Sequence, residues 1–93
     1  MSIRLLKTLI AISETGRFGA AADVVCVSHA AVSQQMKRLE AELEVSLFDR
    51  GKRSPELNQL GQAMVRKAYE VVRSYETMLV SLVGEDGDRK RVV

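Results

Sequence analysis

The sequence predicts a mostly α-helical domain that carries one short β-hairpin and ends in a long helix. Three observations lead there. Apolar residues recur at intervals of three and four, as in Val32, Met36, Leu39 and Leu43, the period of one helix face. Punctuation is sparse, with one Pro and six Gly in 93 residues, too little for a chain of many turns. The stretch that breaks the helical period runs from Glu44 to Leu57. It sets Val45, Leu47 and Phe48 before a basic, Gly-containing tip, the pattern of a strand entering a hairpin.

Composition narrows the function classes. The length allows one small domain with a thin core. Aromatics are limited to Phe18, Phe48, Tyr69 and Tyr75, so aliphatic residues and Met must build that core. The net charge of +2 does not by itself single out nucleic acid. Its distribution says more: Arg50, Lys52 and Arg53 lie within four residues, and Lys37 and Arg38 form a second pair. Cys26 is the sole cysteine and His29 the sole histidine, which excludes an internal disulfide and a zinc set, and no cofactor is expected. No apolar run reaches the length of a membrane span, and no signal-peptide pattern opens the chain, so a cytoplasmic protein without membrane contact is expected. An enzyme is not expected either. The chain has no Cys/His pair, no carboxylate pair in a pocket-forming context and no Gly-rich phosphate loop.

In order, Ser2 caps a first helix to about Thr15, and Gly16 stops it. Leu5, Leu6, Leu9, Ile10 and Ile12 form its apolar face, while Arg4, Lys7 and Glu14 face water. A short helix follows over Gly19–Val25, with Phe18 just ahead of it as a lid on the core. Ala20, Ala21 and Ala22 let another backbone come close. Cys26 then occupies a turn position where a positive φ is common. Ser28 caps a longer helix to Leu43. A short helix, a tight turn and a longer helix make a helix-turn-helix. The face of the longer helix away from Val32, Met36 and Leu39 carries His29, Ala30, Ser33, Gln34 and Lys37. With Ser28 at the helix start, these short or hydrogen-bonding groups suit a reader of phosphates and base edges.

The hairpin places Val45, Leu47 and Phe48 over the core, turns at Arg50-Gly51-Lys52-Arg53-Ser54 and returns through Pro55-Glu56-Leu57. Beside a helix-turn-helix, a hairpin with a cationic tip is a wing. Arg50, Lys52 and Arg53 suit phosphate contact or insertion into a minor groove. Asn58 then caps a last helix, Gln59 to Val83. Met64, Ala68, Val71, Tyr75, Met78 and Leu82 form a heptad seam on it, with Val65, Val72 and Leu79 beside them. A helix of that length spans about 37 Å, more than this small domain can cover. One stripe must meet the domain's own core near the helix start, and the rest is expected to pair with another chain. Arg66, Lys67, Glu70, Arg73 and Glu76 line its polar side. Gly84–Val93 reads as a charged hinge that ends in a frayed terminus. The expected organisation is therefore a DNA-reading domain over 1–58, a dimerisation helix over 59–83 and a hinge over 84–93.

This order resembles the DNA-binding domain of LysR-type transcriptional regulators from about Ile3 to Leu82. The carriers are Phe18 with Ala21-Ala22, Val27-Ser28 with Ala31 and Ser33, Leu39-Glu40, Leu47-Phe48-Asp49-Arg50, and Leu57 with Gly61. The resemblance implies a winged helix-turn-helix whose second helix enters the major groove. It also implies a wing along the backbone or minor groove, and long helices paired antiparallel in a dimer. DNA contacts are implied for His29, Ala30, Ser33, Gln34 and Arg53. The chain departs from the family pattern in several places. Ala30 stands where Pro is usual, His29 where Gln is frequent, and Gln34 where Arg is common. Gly19 replaces Ser or Thr, Asn58 replaces Thr, and Glu44 replaces a Gly, where a left-handed residue would cost about 1 kcal/mol.

Family members carry a further effector-binding domain of two α/β lobes after the hinge. The resemblance implies that a small-molecule effector acts only through that domain, and that these residues are a DNA-binding part cut where the hinge begins. The expected function is sequence-specific binding of double-stranded DNA, at an inverted-repeat promoter site, by a homodimer. A competing reading is a helical protein-interaction or dimerisation module without nucleic acid. It explains the seam but leaves the Arg50–Arg53 tip and the polar face of Ser28–Leu43 without a role.

Overall fold

A computed structural model describes residues 1–51 and 53–89 as α1 (Ile3–Thr15), α2 (Phe18–Val25), α3 (His29–Leu43), β1 (Phe48–Asp49), β2 (Glu56–Leu57) and α4 (Gln59–Arg89). The winged helix-turn-helix with a long final helix is thus the observed architecture. Lys52 and Lys90–Val93 lie outside the described residues.

Local chemistry sets the helix ends. Ser2 Oγ accepts from the Leu5 N–H, and Gly16 closes α1 at φ 82°. α2 begins one residue before its expected start, so Phe18 is its first residue rather than a lid ahead of it. The ring still reaches the core, at 5% exposure, and meets Phe48 edge-on at 5.2 Å.

Among the described residues, two non-glycine residues hold left-handed conformations, Cys26 at φ 60° and Glu44 at φ 57°. Each ends a helix in a Schellman motif. The Val27 N–H donates to the Ala22 carbonyl and the Cys26 N–H to that of Asp23. After α3, the Val45 N–H donates to the Glu40 carbonyl and the Glu44 N–H to that of Ala41. The conformation costs about 1–2 kcal/mol per residue, and the paired carbonyls offset it. This second turn corrects one expectation. It swings Val45 outward, to 37% exposure, and leaves Leu47 and Phe48, at 1% and 3%, to cover the core.

α1 is the centre of the packing, touching α2, α3 and α4. Leu9, Val32, Met36 and Leu39 are completely buried between them. Thr8 is buried among these apolar groups, and its hydroxyl is satisfied by Gln35 Oε1 at 2.6 Å. Lys7 and Glu14 are exposed, as expected, and also reach α4. Lys7 Nζ lies 3.2 Å from a Glu76 carboxylate oxygen, and the Tyr69 hydroxyl donates to Glu14 at 2.5 Å.

The hairpin is two antiparallel pairs long, Phe48 with Leu57 and Asp49 with Glu56. Asn58 fastens it to α4. Its Oδ1 accepts from the Gly61 N–H at 2.7 Å, its backbone N–H donates to the Leu47 carbonyl at 2.9 Å, and its Nδ2 donates to the Ser46 carbonyl. The crossing is close enough to require Gly61. A Cβ there would stand 2.2 Å from the Leu47 carbonyl oxygen.

α4 divides its apolar residues. Val65, Ala68 and Val72 are buried against the domain, and Met64 packs on the core's edge. Val71, Tyr75, Met78 and Leu82 stay 38–50% exposed. Ala68 is therefore corrected: at 1% exposure it belongs to the chain's own core and offers no surface to a second chain. A straight helix drifts against a strict heptad, and here the drift brings the Val65–Ala68–Val72 row onto α1. The end of α4 differs too. The expected hinge begins at Gly84, yet the helix continues to Arg89. A Gly inside a helix costs only about 1 kcal/mol relative to Ala, and extending a formed helix needs no new nucleus.

Candidate nucleic-acid interface

α3 has two unlike faces because its sequence alternates with the helical period. Val32, Met36 and Leu39 point into the core, while Ser28, His29, Ala30, Gln34 and Lys37 are exposed and Ser33 is half-buried at the edge. Ser28 is occupied as the cap, its Oγ accepting from the Ala31 N–H at 3.0 Å. The N–H groups of His29 and Ala30, like the first donors of any helix, have no partner within it. The helix thus presents a positive end, two short side chains and a long amide on one open surface. A phosphate or a base edge can approach such a surface without first displacing a side-chain bond.

The wing is fastened to α3 by Glu40. One carboxylate oxygen accepts from the Leu47 N–H at 2.7 Å, and the other pairs with Arg50 Nη2 at 2.6 Å. The Arg50 guanidinium also lies over the Phe48 ring, 5.5 Å from its centre. Arg50, expected to contact DNA from the wing, is also a foundation of the wing, because its charge is matched by a carboxylate only 14% exposed. Asp49 Oδ1 accepts from the Gly51 N–H and starts the turn of the tip. Arg53 is exposed beyond it, and Lys52 is outside the described residues.

The structure brings His29 of α3 and Arg53 of the wing to the rim of one open depression, whose floor includes Phe18 and Gly19 at the start of α2. His29 leans on Phe18, with ring centres 6.3 Å apart. Ser33, Gln34 and Lys37 continue along α3 from the helix start that His29 opens. Sequence reasoning missed Arg17, which borders the same depression. No signal marked it, because the helix was expected to start at Gly19 and Arg17 becomes its N-cap only with the observed start at Phe18. It also assigned Glu40 no role, and an acidic residue on the last turns of α3 gave no warning of its bond to the wing. Among the described residues no cluster of His, Cys, Asp or Glu could hold a metal ion, and Cys26 is an exposed free thiol.

A second surface lies away from this one. Tyr75 borders a hollow shared with Ile3, Ile10, Val24 and Val25, and Val24 is 61% exposed there. With Val71, Met78 and Leu82 it makes an apolar area on α4 and the domain beside it.

Known proteins share both the sequence and this architecture. Residues 3–62 match the model of the bacterial regulatory helix-turn-helix proteins of the lysR family. The chain is 34% identical over 88 residues to an HTH-type transcriptional regulator in the ibpB-leuC intergenic region of Azotobacter vinelandii, covering 95% of this chain and 61% of that protein. It is 37% identical over 91 residues to the HTH-type transcriptional regulator TcbR of Pseudomonas sp. strain P51, covering 98% of this chain and 28% of that one. The chain therefore spans less than two thirds of the length of these relatives. They are transcriptional regulators, not enzymes.

Among solved structures, the complex of the CbnR DNA-binding domain with DNA superposes with a TM-score of 0.71 at 37% identity, covering 98% of this chain and 95% of that one. The complex of the BenM DNA-binding domain with benA site 1 DNA gives a TM-score of 0.82 at 29% identity, covering 94% and 97%. By sequence, by fold and by the outward face of α3, the chain belongs to the LysR family of bacterial regulatory helix-turn-helix proteins, as a DNA-binding domain.

Proposed function

We propose that this domain binds an inverted-repeat site in double-stranded DNA as a homodimer. Residues 1–58 read the DNA and the helix from Gln59 pairs the two chains. Ser33 and Gln34 contact base edges in the major groove, where the Gln amide can pair bidentately with adenine. His29, Ala30 and Lys37 flank them, and Arg53 meets a phosphate from the wing. The observation that carries this reading is the shared rim of His29 and Arg53, which joins the start of α3 and the wing into one surface. The DNA complexes of CbnR and BenM, whose domains share the fold, support the partner.

Pairing is supported by the row Val71, Tyr75, Met78 and Leu82, which stays 38–50% exposed, with Met64, half-buried on the core's edge, at its near end. A seam that pairs with its own copy implies a two-fold axis. The two recognition helices then enter successive major grooves on one side of the duplex, roughly 34–36 Å apart. Such a protein works in the cytoplasm, and no helix among the described residues is long and apolar enough to cross a membrane. In the proposed arrangement a small-molecule effector acts through a further domain, not through these residues. Selection from a random duplex library tests the reading. An enriched inverted repeat is expected, and a direct repeat, or a half-site bound as tightly as the full repeat, would overturn the dimer model.

A further inference from the structure

We propose that Arg17 is a second anchor for the DNA backbone, so that the depression between α2 and the wing holds two neighbouring phosphates, one on each arginine. This inference rests on the DNA-binding reading above. Arg17 and Arg53 border the same depression from different elements, the first from the cap of α2 and the second from the wing tip. Both are exposed, and neither is in an ion pair among the described residues. Arg50 and Arg38, by contrast, are matched by Glu40 and Glu42.

The backbone of Arg17 is fixed although its side chain is not. Its carbonyl accepts from the Ala21 N–H at 3.0 Å and from the Thr15 hydroxyl at 3.1 Å. A guanidinium on a fixed stem loses less freedom when it closes on an oxyanion. The neighbours agree with an anion. His29 adds a hydrogen-bonding ring at the rim, and the α2 start directs first-turn N–H groups toward the same space. Among the described residues lining the depression, Asp23 is the one carboxylate, set against Arg17, Arg53 and His29. α3 inserted in a groove brings a flanking strand to this depression, and its ligands are two backbone phosphodiesters. Arg17 thus contributes affinity and register, with no base preference of its own.

The test uses the whole 93-residue chain and Arg17→Ser. Serine is a preferred N-cap, so the substitution removes the guanidinium without weakening the start of α2. Unchanged thermal unfolding is the control for that. Binding is measured against salt on the selected duplex and on a random one. The expected result is a slope of log K against log salt lower by about one on both, with the base preference unchanged. Arg53→Ala should do the same, and the double variant should lose about two. A single neutral methylphosphonate, walked along the strand, should weaken the wild type at one flanking phosphate and be silent there in Arg17→Ser. A salt slope unchanged by Arg17→Ser, or no phosphate whose neutralisation falls silent, overturns the inference while leaving DNA binding intact. A wild-type chain that binds no duplex at all overturns the DNA-binding reading itself.

Discussion

α3 and the outer part of α4 carry apolar stripes of the same period, and the fold treats them differently. Val32, Met36 and Leu39 of α3 are completely buried. Val71, Met78 and Leu82 of α4 are 47%, 49% and 50% exposed. Periodicity announces that a helix has a partner, but not whether the partner belongs to the same chain. Reach decides. α3 is 15 residues long and lies wholly over the core, whereas α4 is 31 residues in a molecule whose long axis is 54 Å and whose other dimensions are 24 and 21 Å. Only the part of α4 up to about Glu76 finds α1. The remaining stripe leaves a buried-type pattern facing water, which is unusual for a monomer.

The largest expected effects separate the two stripes directly. Leu39→Ala leaves a cavity in a fully packed site and should cost about 2–5 kcal/mol. In denaturant unfolding its effect should be present at any protein concentration. Val71→Asp should act on association instead. Val71 is half-exposed in the single chain, so the helical circular-dichroism spectrum should be kept. Across a two-fold seam the aspartate would be buried unpaired in both copies, weakening the dimer by roughly 3 kcal/mol or more, about a hundredfold. Sedimentation equilibrium should find monomers where the wild type pairs. A Val71→Asp chain that remains folded and dimeric would show that this stripe is not the seam.

The next effect probes the other face of α3. Gln34→Ala removes an exposed amide with no partner in the core, so stability should not change. Binding should weaken by about 1–3 kcal/mol on the selected site and little on random DNA. Equal losses on both duplexes would reassign Gln34 to the backbone and break the division of α3 into a structural and a reading face.

Much of this was legible in the sequence. Capping was: Ser2, Ser28, Asn58 and Gly16 act where their chemistry predicts. So were the hairpin and the split of α3, because a period and a cap are local properties. Three features were not. Val45 was misplaced because a Schellman turn at Glu44 rotates the next residue outward, and nothing in a Leu-Glu-Val-Ser run reports that rotation. Nothing in the sequence names Glu40, ten residues away, as the partner that gives Arg50 its structural role. Ala68 fits the heptad arithmetic and the core equally well, so its side could be chosen only once α4 was laid on α1. The last two are long-range decisions that local pattern leaves open.

The smallest expected effect concerns how the inner part of α4 is held. Tyr69 donates its hydroxyl to Glu14 across the α1–α4 contact, and this bond holds its pKa above the ordinary tyrosine value, with desolvation and the charge of Glu14 acting the same way. A raised folded value means that the neutral phenol is favoured in the native state. Its contribution is therefore fully present below the unfolded tyrosine value of about 10. It is lost as pH rises from there through the higher folded value, because the unfolded chain releases the proton first. The side chain is exposed, so solvent keeps the effect small. Tyr69→Phe should lower stability slightly at pH 8, and the gap between the two proteins should close as pH passes 10. It should be equally visible in Val71→Asp monomers, because Tyr69 and Glu14 belong to one chain. A gap that vanished in the monomer would mean that this bond is made between chains, and that the inner part of α4 belongs to the dimer as much as the outer part does.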